Sequence, residues 1–303
     1  MFTGCGTAMV TPFAADGSLD EATLRKLVRR QIAEGIDFLV PCGTTGESPT
    51  LKIEEHLRVV AITVEESKKA SRRVPVLAGA GGYFTREVIE LAEECARAGA
   101  DGILSVTPYY NKPTQEGLFQ HFKAITDAVH LPLIVYNIQG RTGVNVETST
   151  LVRLAEISNI VGVKEASGNI GQIAEVAHRL PERFSILSGD DLITIPVIAL
   201  GGRGVISVVS NEIPGPMTEL AHLAMAGDFA GARAIQRRYF ALMQVNFIEA
   251  NPGPAKWAMS RMGLLEPVCR LPMVLPSEAS QKKIDQVLES LKLAEGAAVA
   301  SRH

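Results

Sequence analysis

The sequence predicts an α/β protein, a (β/α)8 TIM barrel over residues 1–226 followed by a helical domain over residues 227–303. Three observations predict it. Eight short, nearly continuous apolar runs rich in β-branched residues recur through residues 1–226, as strands buried on both faces require. Amphipathic helical patterns separate them. After about Ala226 the strand signals stop. The 303 residues fit one barrel of ~250 residues plus an appendage, and 46% apolar residues supply a large core.

The runs fall at Thr7–Val10, Phe38–Val40, Val76–Gly79, Gly102–Val106, Leu133–Tyr136, Val161–Lys164, Ser185–Ser188 and Gly204–Val208. Ser18, with Glu21 three residues on, has capping-box spacing, and Leu24, Leu27, Val28 and Ile32 then share one helical face. Thr85 precedes a similar pattern through Val88, Ile89 and Ala92, and Thr114 precedes Leu118, Phe119, Phe122 and Ile125. An open doubly wound sheet is the structural alternative. It usually carries a dinucleotide or phosphate fingerprint after its first strand, and none stands there. Beyond Ala226 three helices are expected, at Phe229–Glu249, Ala255–Met262 and Ser277–Leu293, with a frayed tail from about Ala294.

Composition narrows the function. A formal charge of −3 without runs of like charge argues against a nucleic-acid partner. The four cysteines Cys5, Cys42, Cys95 and Cys269 form no CxxC pair, so a reducing compartment is the simpler reading. No basic n-region with an apolar h-region opens the chain, and no apolar stretch reaches the ~18 residues of a membrane span. A cytoplasmic enzyme without a membrane partner is expected. The six histidines lack HxH or HExxH spacing, so a metal-dependent aldolase is not expected, and no metal or other cofactor is expected in the site. Gly79-Ala80-Gly81-Gly82 fails the dinucleotide spacing. Gly201-Gly202-Arg203-Gly204 precedes a strand, which places it on the stability face. Asp190 and Asp191 would repel a phosphorylated substrate.

In such barrels the chemistry sits at the carboxyl ends of the strands. There the sequence places Gly43-Thr44-Thr45-Gly46-Glu47-Ser48, Pro108-Tyr109-Tyr110-Asn111, Tyr136-Asn137 with Gly140-Arg141-Thr142-Gly143, Lys164-Glu165, and Ser188-Gly189-Asp190-Asp191. Lys164 is the sharpest signal. An amine partly removed from water at a barrel mouth gives up its proton more readily, and the free amine attacks a ketone to form an imine, an electron sink. The bland alternative is a lysine whose head reaches solvent at a strand end. Tyr136 can pass protons to the imine-forming centre, or simply pack with its hydroxyl satisfied. Thr44 and Thr45 can bind a carboxylate, or form a plain turn. Tyr109 and Tyr110 are candidates for a proton relay. Arg141 suits bidentate capture of a carboxylate, against the alternative of a rim salt bridge.

Gly43-Thr44-Thr45-Gly46-Glu47, Tyr109-Tyr110-Asn111-Lys112-Pro113, Tyr136-Asn137 with Gly140-Arg141-Thr142-Gly143, and Val163-Lys164-Glu165-Ala166-Ser167 resemble the dihydrodipicolinate synthase family. The resemblance runs from Gly4-Cys5-Gly6-Thr7-Ala8 to Arg270-Leu271-Pro272-Met273. It implies a Schiff-base-forming lyase that condenses pyruvate with L-aspartate 4-semialdehyde in lysine and diaminopimelate synthesis. It also implies roles. Lys164 forms the imine. Thr44, Tyr110 and Tyr136 make a proton relay, with Tyr110 reaching into a neighbouring subunit's site. Thr45 holds the pyruvate carboxylate, and Arg141 binds the carboxylate of the second substrate. Gly189 and Ile206 line the site through backbone groups. The assembly implied is a homotetramer of tight dimers.

Two departures stand out. Ile138-Gln139 replaces the proline that many members carry before the arginine loop. Ile53 and Tyr83 stand where lysine-inhibited members have histidine and asparagine, although Ser48, His56, Glu87 and Tyr109 match that regulatory site. Weak or absent lysine inhibition is therefore expected. The competing readings are an N-acetylneuraminate or 2-keto-3-deoxy sugar-acid aldolase, which usually lacks the Tyr110 and Arg141 combination, and a non-catalytic pyruvate-binding protein, which needs no imine-forming lysine.

Overall fold

A computed structural model of the chain describes residues 2–294. Eight parallel strands, β1 (Gly4–Ala8), β2 (Phe38–Val40), β3 (Leu77–Gly79), β4 (Gly102–Val106), β5 (Leu133–Asn137), β6 (Ile160–Glu165), β7 (Ser185–Ser188) and β8 (Gly204–Ser207), run in the order β2-β1-β8-β7-β6-β5-β4-β3. A single parallel bridge, Leu39 to Val76, joins the two ends of that sheet and closes the barrel. The open-sheet alternative is therefore set aside.

The outer ring consists of α1 (Glu21–Ala33), α2 (Ile53–Lys69), α3 (Thr85–Arg97), α4 (Gln115–Ala128), α6 (Thr148–Ala155), α7 (Ile170–Arg179), α8 (Thr194–Ala199) and α9 (Pro214–Met225), while α5 (Gln139–Thr142) is a single turn on the segment just after β5. Three further helices follow, α10 (Phe229–Val245), α11 (Gly253–Arg261) and α12 (Glu278–Ser290). α10 packs against α9 and α12, and α11 against α12.

Strand alternation builds two cores. Outward-facing Cys5, Leu39, Val135 and Val163 pack against the helices. Inward-facing Phe38, Leu77, Ile134, Leu187 and Ile206 fill the barrel, and Phe2 closes its lower end, its ring edge-on to Phe38 with centroids 5.5 Å apart.

Four local expectations are corrected. β1 begins at Gly4 rather than Thr7, because its glycines hide the strand signal. They are needed there, since a Cβ on Gly6 would collide with the Phe38 ring. Past Ala8 the run leaves the ladder, and Val10 N donates to the Asn211 side chain instead. α1 is capped by Asp20, which accepts from Thr23 N at 2.9 Å, rather than by Ser18. The Ser18 hydroxyl is captured by Asp16 in the preceding turn. α10 stops at Val245, where Asn246 caps it and turns its amide inward to Glu212 Oε2. α12 starts after Ser277, which serves as its cap. The tail expected from Ala294 onward lies, beyond Ala294 itself, outside the described residues.

Asp191, just beyond β7, fastens the chain after β8, with its Oδ2 accepting from Val208 N and Val209 N at 3.1 and 3.0 Å. Burial raises its carboxyl from 3.8 to about 6, against those hydrogen bonds. The folded-state value lies above the unfolded one, so this contribution is full below pH 3.8 and is lost as pH rises through about 6. Asp191→Asn removes that loss. Urea unfolding of the two proteins should therefore shift in the variant's favour by about 3 kcal/mol between pH ~4 and ~7. A difference independent of pH would contradict the assignment.

Candidate active site

The carboxyl ends of β2 to β5 surround a cavity of about 210 Å³ whose lining includes Thr44, Ser48, Tyr109, Tyr136 and Arg141. They arrive from three strand ends, Thr44 and Ser48 after β2, Tyr109 after β4, and Tyr136 and Arg141 from the end of β5 and the turn beyond it. Tyr136 is brought inward by alternation on β5, and in-register pairing sets it against Lys164 of β6. The Lys164 Nζ sits 4.1 Å from the centroid of the Tyr136 ring, and the lysine is only 5% exposed. Its neighbour Glu165 takes the opposite side of the strand, where Asn137 Nδ2 and Ser167 N donate to it. Burial raises the Glu165 carboxyl, against those donors. The amine thus faces an aromatic wall while the adjacent carboxylate is committed elsewhere.

Gly189 explains how the lysine is held so closely. A Cβ there would stand 2.6 Å from the Ala166 Cβ and 3.1 Å from the Lys164 Cε, so only glycine lets β7 approach the lysine stem. Ile206 is fully buried within the barrel's inner core.

The Gly43–Ser48 loop turns back on itself, with Gly46 N on Gly43 O and Glu47 N on Thr44 O, both at 3.1 Å. Thr44 lines the cavity, whereas Thr45 is 2% exposed and its Oγ1 accepts from Asn251 Nδ2 at 2.9 Å. Arg141 rides on α5, the one-turn helix that begins after Ile138, and its Nη2 donates to the Asn251 backbone carbonyl at 3.4 Å. Tyr110 is not gathered with the others. It is 91% exposed with φ +66°, and Tyr109 lines the cavity instead. Burial raises the Tyr109 phenol.

Beside this site, and sharing Gly81 and Tyr109 with it, lies a second hollow of about 560 Å³ lined by Ile53, Tyr83 and Glu87. His56 is turned away from that hollow and makes a 2.8 Å hydrogen bond to Gly79 O. Burial lowers its imidazole and keeps it neutral, so Nε2–H donates.

Sequence reasoning left Asn251, Lys256 and Arg270 without roles, and Glu47 as part of a motif only. Lys256 and Glu47 form a fully buried ion pair at 2.5 Å, outside hydrogen-bonding alignment. Lys256 Nζ also donates to Val268 O, and Arg270 N donates to Glu47 Oε2. Glu47 itself holds φ +53°, a left-handed conformation uncommon outside glycine. The one signal for this segment is the Asn251-Pro252-Gly253-Pro254 break between helical patterns. Among the described residues no group of three or more His, Cys, Asp or Glu is placed to hold a metal ion. No helix there is long and apolar enough to cross a membrane.

Comparison with known proteins agrees with this fold. The family model described as "Dihydrodipicolinate synthetase family" matches residues 1–291. A 4-hydroxy-tetrahydrodipicolinate synthase from Koribacter versatilis is 51% identical over 298 residues, covering 98% of each chain. The crystal structure of dihydrodipicolinate synthase from Aquifex aeolicus superposes with a TM-score of 0.94 at 43% identity, covering 97% of this chain and 99% of that one. The chloride-inhibited dihydrodipicolinate synthase from Acinetobacter baumannii, complexed with pyruvate, gives 0.94 at 42% identity, covering 97% of this chain and 100% of that one.

Proposed function

Because this chain belongs to the dihydrodipicolinate synthetase family, we propose that it condenses pyruvate with L-aspartate 4-semialdehyde to 4-hydroxy-tetrahydrodipicolinate, a step of lysine and diaminopimelate synthesis. The observation that carries the reading is the buried Lys164 amine set on the Tyr136 ring, beside a cavity lined by Arg141.

In this reading Lys164 Nζ attacks C2 of pyruvate, the carbonyl oxygen leaves as water, and the imine draws electrons from C3. Loss of a C3 proton gives an enamine, whose carbon attacks the aldehyde carbon of the second substrate. That substrate's amino group then displaces Lys164 from the imine carbon and closes the ring. Tyr136, Thr44 and Tyr110 move the protons of these steps, and Thr45 holds the pyruvate carboxylate. Gly189 and Ile206 shape the floor through their backbone. Arg141 takes the carboxylate of the semialdehyde, which its place in the cavity lining supports. The exposure of Tyr110 supports a homotetramer of tight dimers in which that phenol completes a neighbour's site. The four free thiols support a cytoplasmic location. The division into a barrel, residues 1–226, and a helical domain, residues 227–303, belongs to the same reading.

NADPH oxidation in an assay coupled to dihydrodipicolinate reductase should require both substrates. Turnover of sugar-acid aldehydes in place of the semialdehyde would sink the reading. Lysine inhibition should be weak, because half-exposed Ile53 offers an amino acid no hydrogen bond and Tyr83 replaces a carboxamide. Inhibition by submillimolar lysine would refute this.

A further inference from the structure

We propose that Asn251 is a positioning residue for the condensation. Its amide sets the Thr45 hydroxyl with the proton free for the pyruvate carboxylate, and its carbonyl steadies Arg141. The inference rests on the reading of Thr45 and Arg141 given above.

A threonine hydroxyl has one proton to give and can accept as well. Asn251 Nδ2 donates to Thr45 Oγ1 at 2.9 Å, which occupies the acceptor side and leaves the proton available. Donation to an anionic carboxylate is the stronger use of that proton. Both side chains are nearly inaccessible, at 4% and 2% exposure, so water does not compete for the contact. The Asn251 carbonyl meanwhile accepts from Arg141 Nη2 at 3.4 Å. One residue outside the barrel thus touches the groups assigned to the carboxylates of both substrates.

Two further observations favour positioning over packing. Asn251 Oδ1 is buried without a hydrogen-bond partner among the described residues, a cost that a residue serving only to fill space would not need. The segment is also fixed from behind. Five residues on, Lys256 pairs with Glu47, two residues beyond Thr45, so the loop and the segment are tied at two points. Two ties prevent the loop from pivoting about either one, and the Thr45 hydroxyl keeps a single direction.

The test is the KM for pyruvate in four proteins: the native chain, Thr45→Val, Asn251→Ala and the double variant. Each single change should raise that KM about tenfold with kcat within about threefold, the pattern of a lost binding contact. The double variant should be no worse than Thr45→Val, because Asn251 acts through a hydroxyl that is already gone. Additive losses in the double variant, or an Asn251→Ala protein with native KM beside an impaired Thr45→Val, overturn the proposal while leaving Thr45 in place. A native KM in Thr45→Val removes the reading of Thr45 itself and the proposal with it. Asn251→Asp guards against misfolding, since it keeps the shape and replaces the donor by an acceptor. It should raise the KM at least as far as alanine does, and a native KM there also overturns the proposal.

Discussion

Lys164→Ala should abolish turnover, lowering kcat by at least about 10³-fold. The amine is the one nucleophile set on the Tyr136 ring, and nothing else at that position can make an imine. The loss should appear in chemistry rather than in folding, because shortening a side chain beside Gly189 leaves the neighbouring strands paired as before. Borohydride added with pyruvate should fix one reduced pyruvate on the native protein and none on the variant. Lys164→Arg tests the same point differently, since it keeps a cation but not a nucleophilic amine, and it should be equally inactive. Labelling of Lys164→Ala by pyruvate and borohydride would place the imine on another lysine.

Lys256→Met should destabilise the fold by about 3–5 kcal/mol, because it leaves Glu47 buried without its cation. Burial already pushes the Lys256 ammonium down, and the Glu47 carboxylate opposes that shift. The two charges are therefore tolerated only together. Adding Glu47→Gln to the variant should recover a large part of the loss, since a neutral amide is far cheaper to bury than a lone carboxylate. Urea unfolding of the single and double variants measures both effects. Equal losses in the two would show that the pair matters for its packing and not for its charge. Activity should fall along with stability, because Glu47 ends the loop that carries Thr44 and Thr45.

Much of this protein is legible along the chain, for physical reasons that also explain what is not. Lys164 and Tyr136 can be found because a buried parallel strand is a run of β-branched residues, and a polar residue closing such a run has to lie at the rim. Thr44 and Arg141 follow by the same logic. β1 is displaced because its glycines carry no hydrophobic signal, although Gly6 is required by the Phe38 ring. The Ser18 cap fails because two competing acceptors, Asp16 and Asp20, stand within two residues of it. The ties behind the site cannot be read at all. Asn251 and Thr45 are 206 residues apart, and no local pattern links an asparagine before a proline to a threonine in a distant turn. Such pairs exist only once the C-terminal helices have docked.

The Phe2–Phe38 stopper at the foot of the barrel makes the site a vessel with a single mouth. Pyruvate, the water it sheds, the semialdehyde and the finished ring all pass the same opening. The substrate that seats on Lys164 must therefore enter first, and its carbons leave only as part of the finished ring. A second substrate held by Arg141 at that rim would keep bulk water from the imine beneath it.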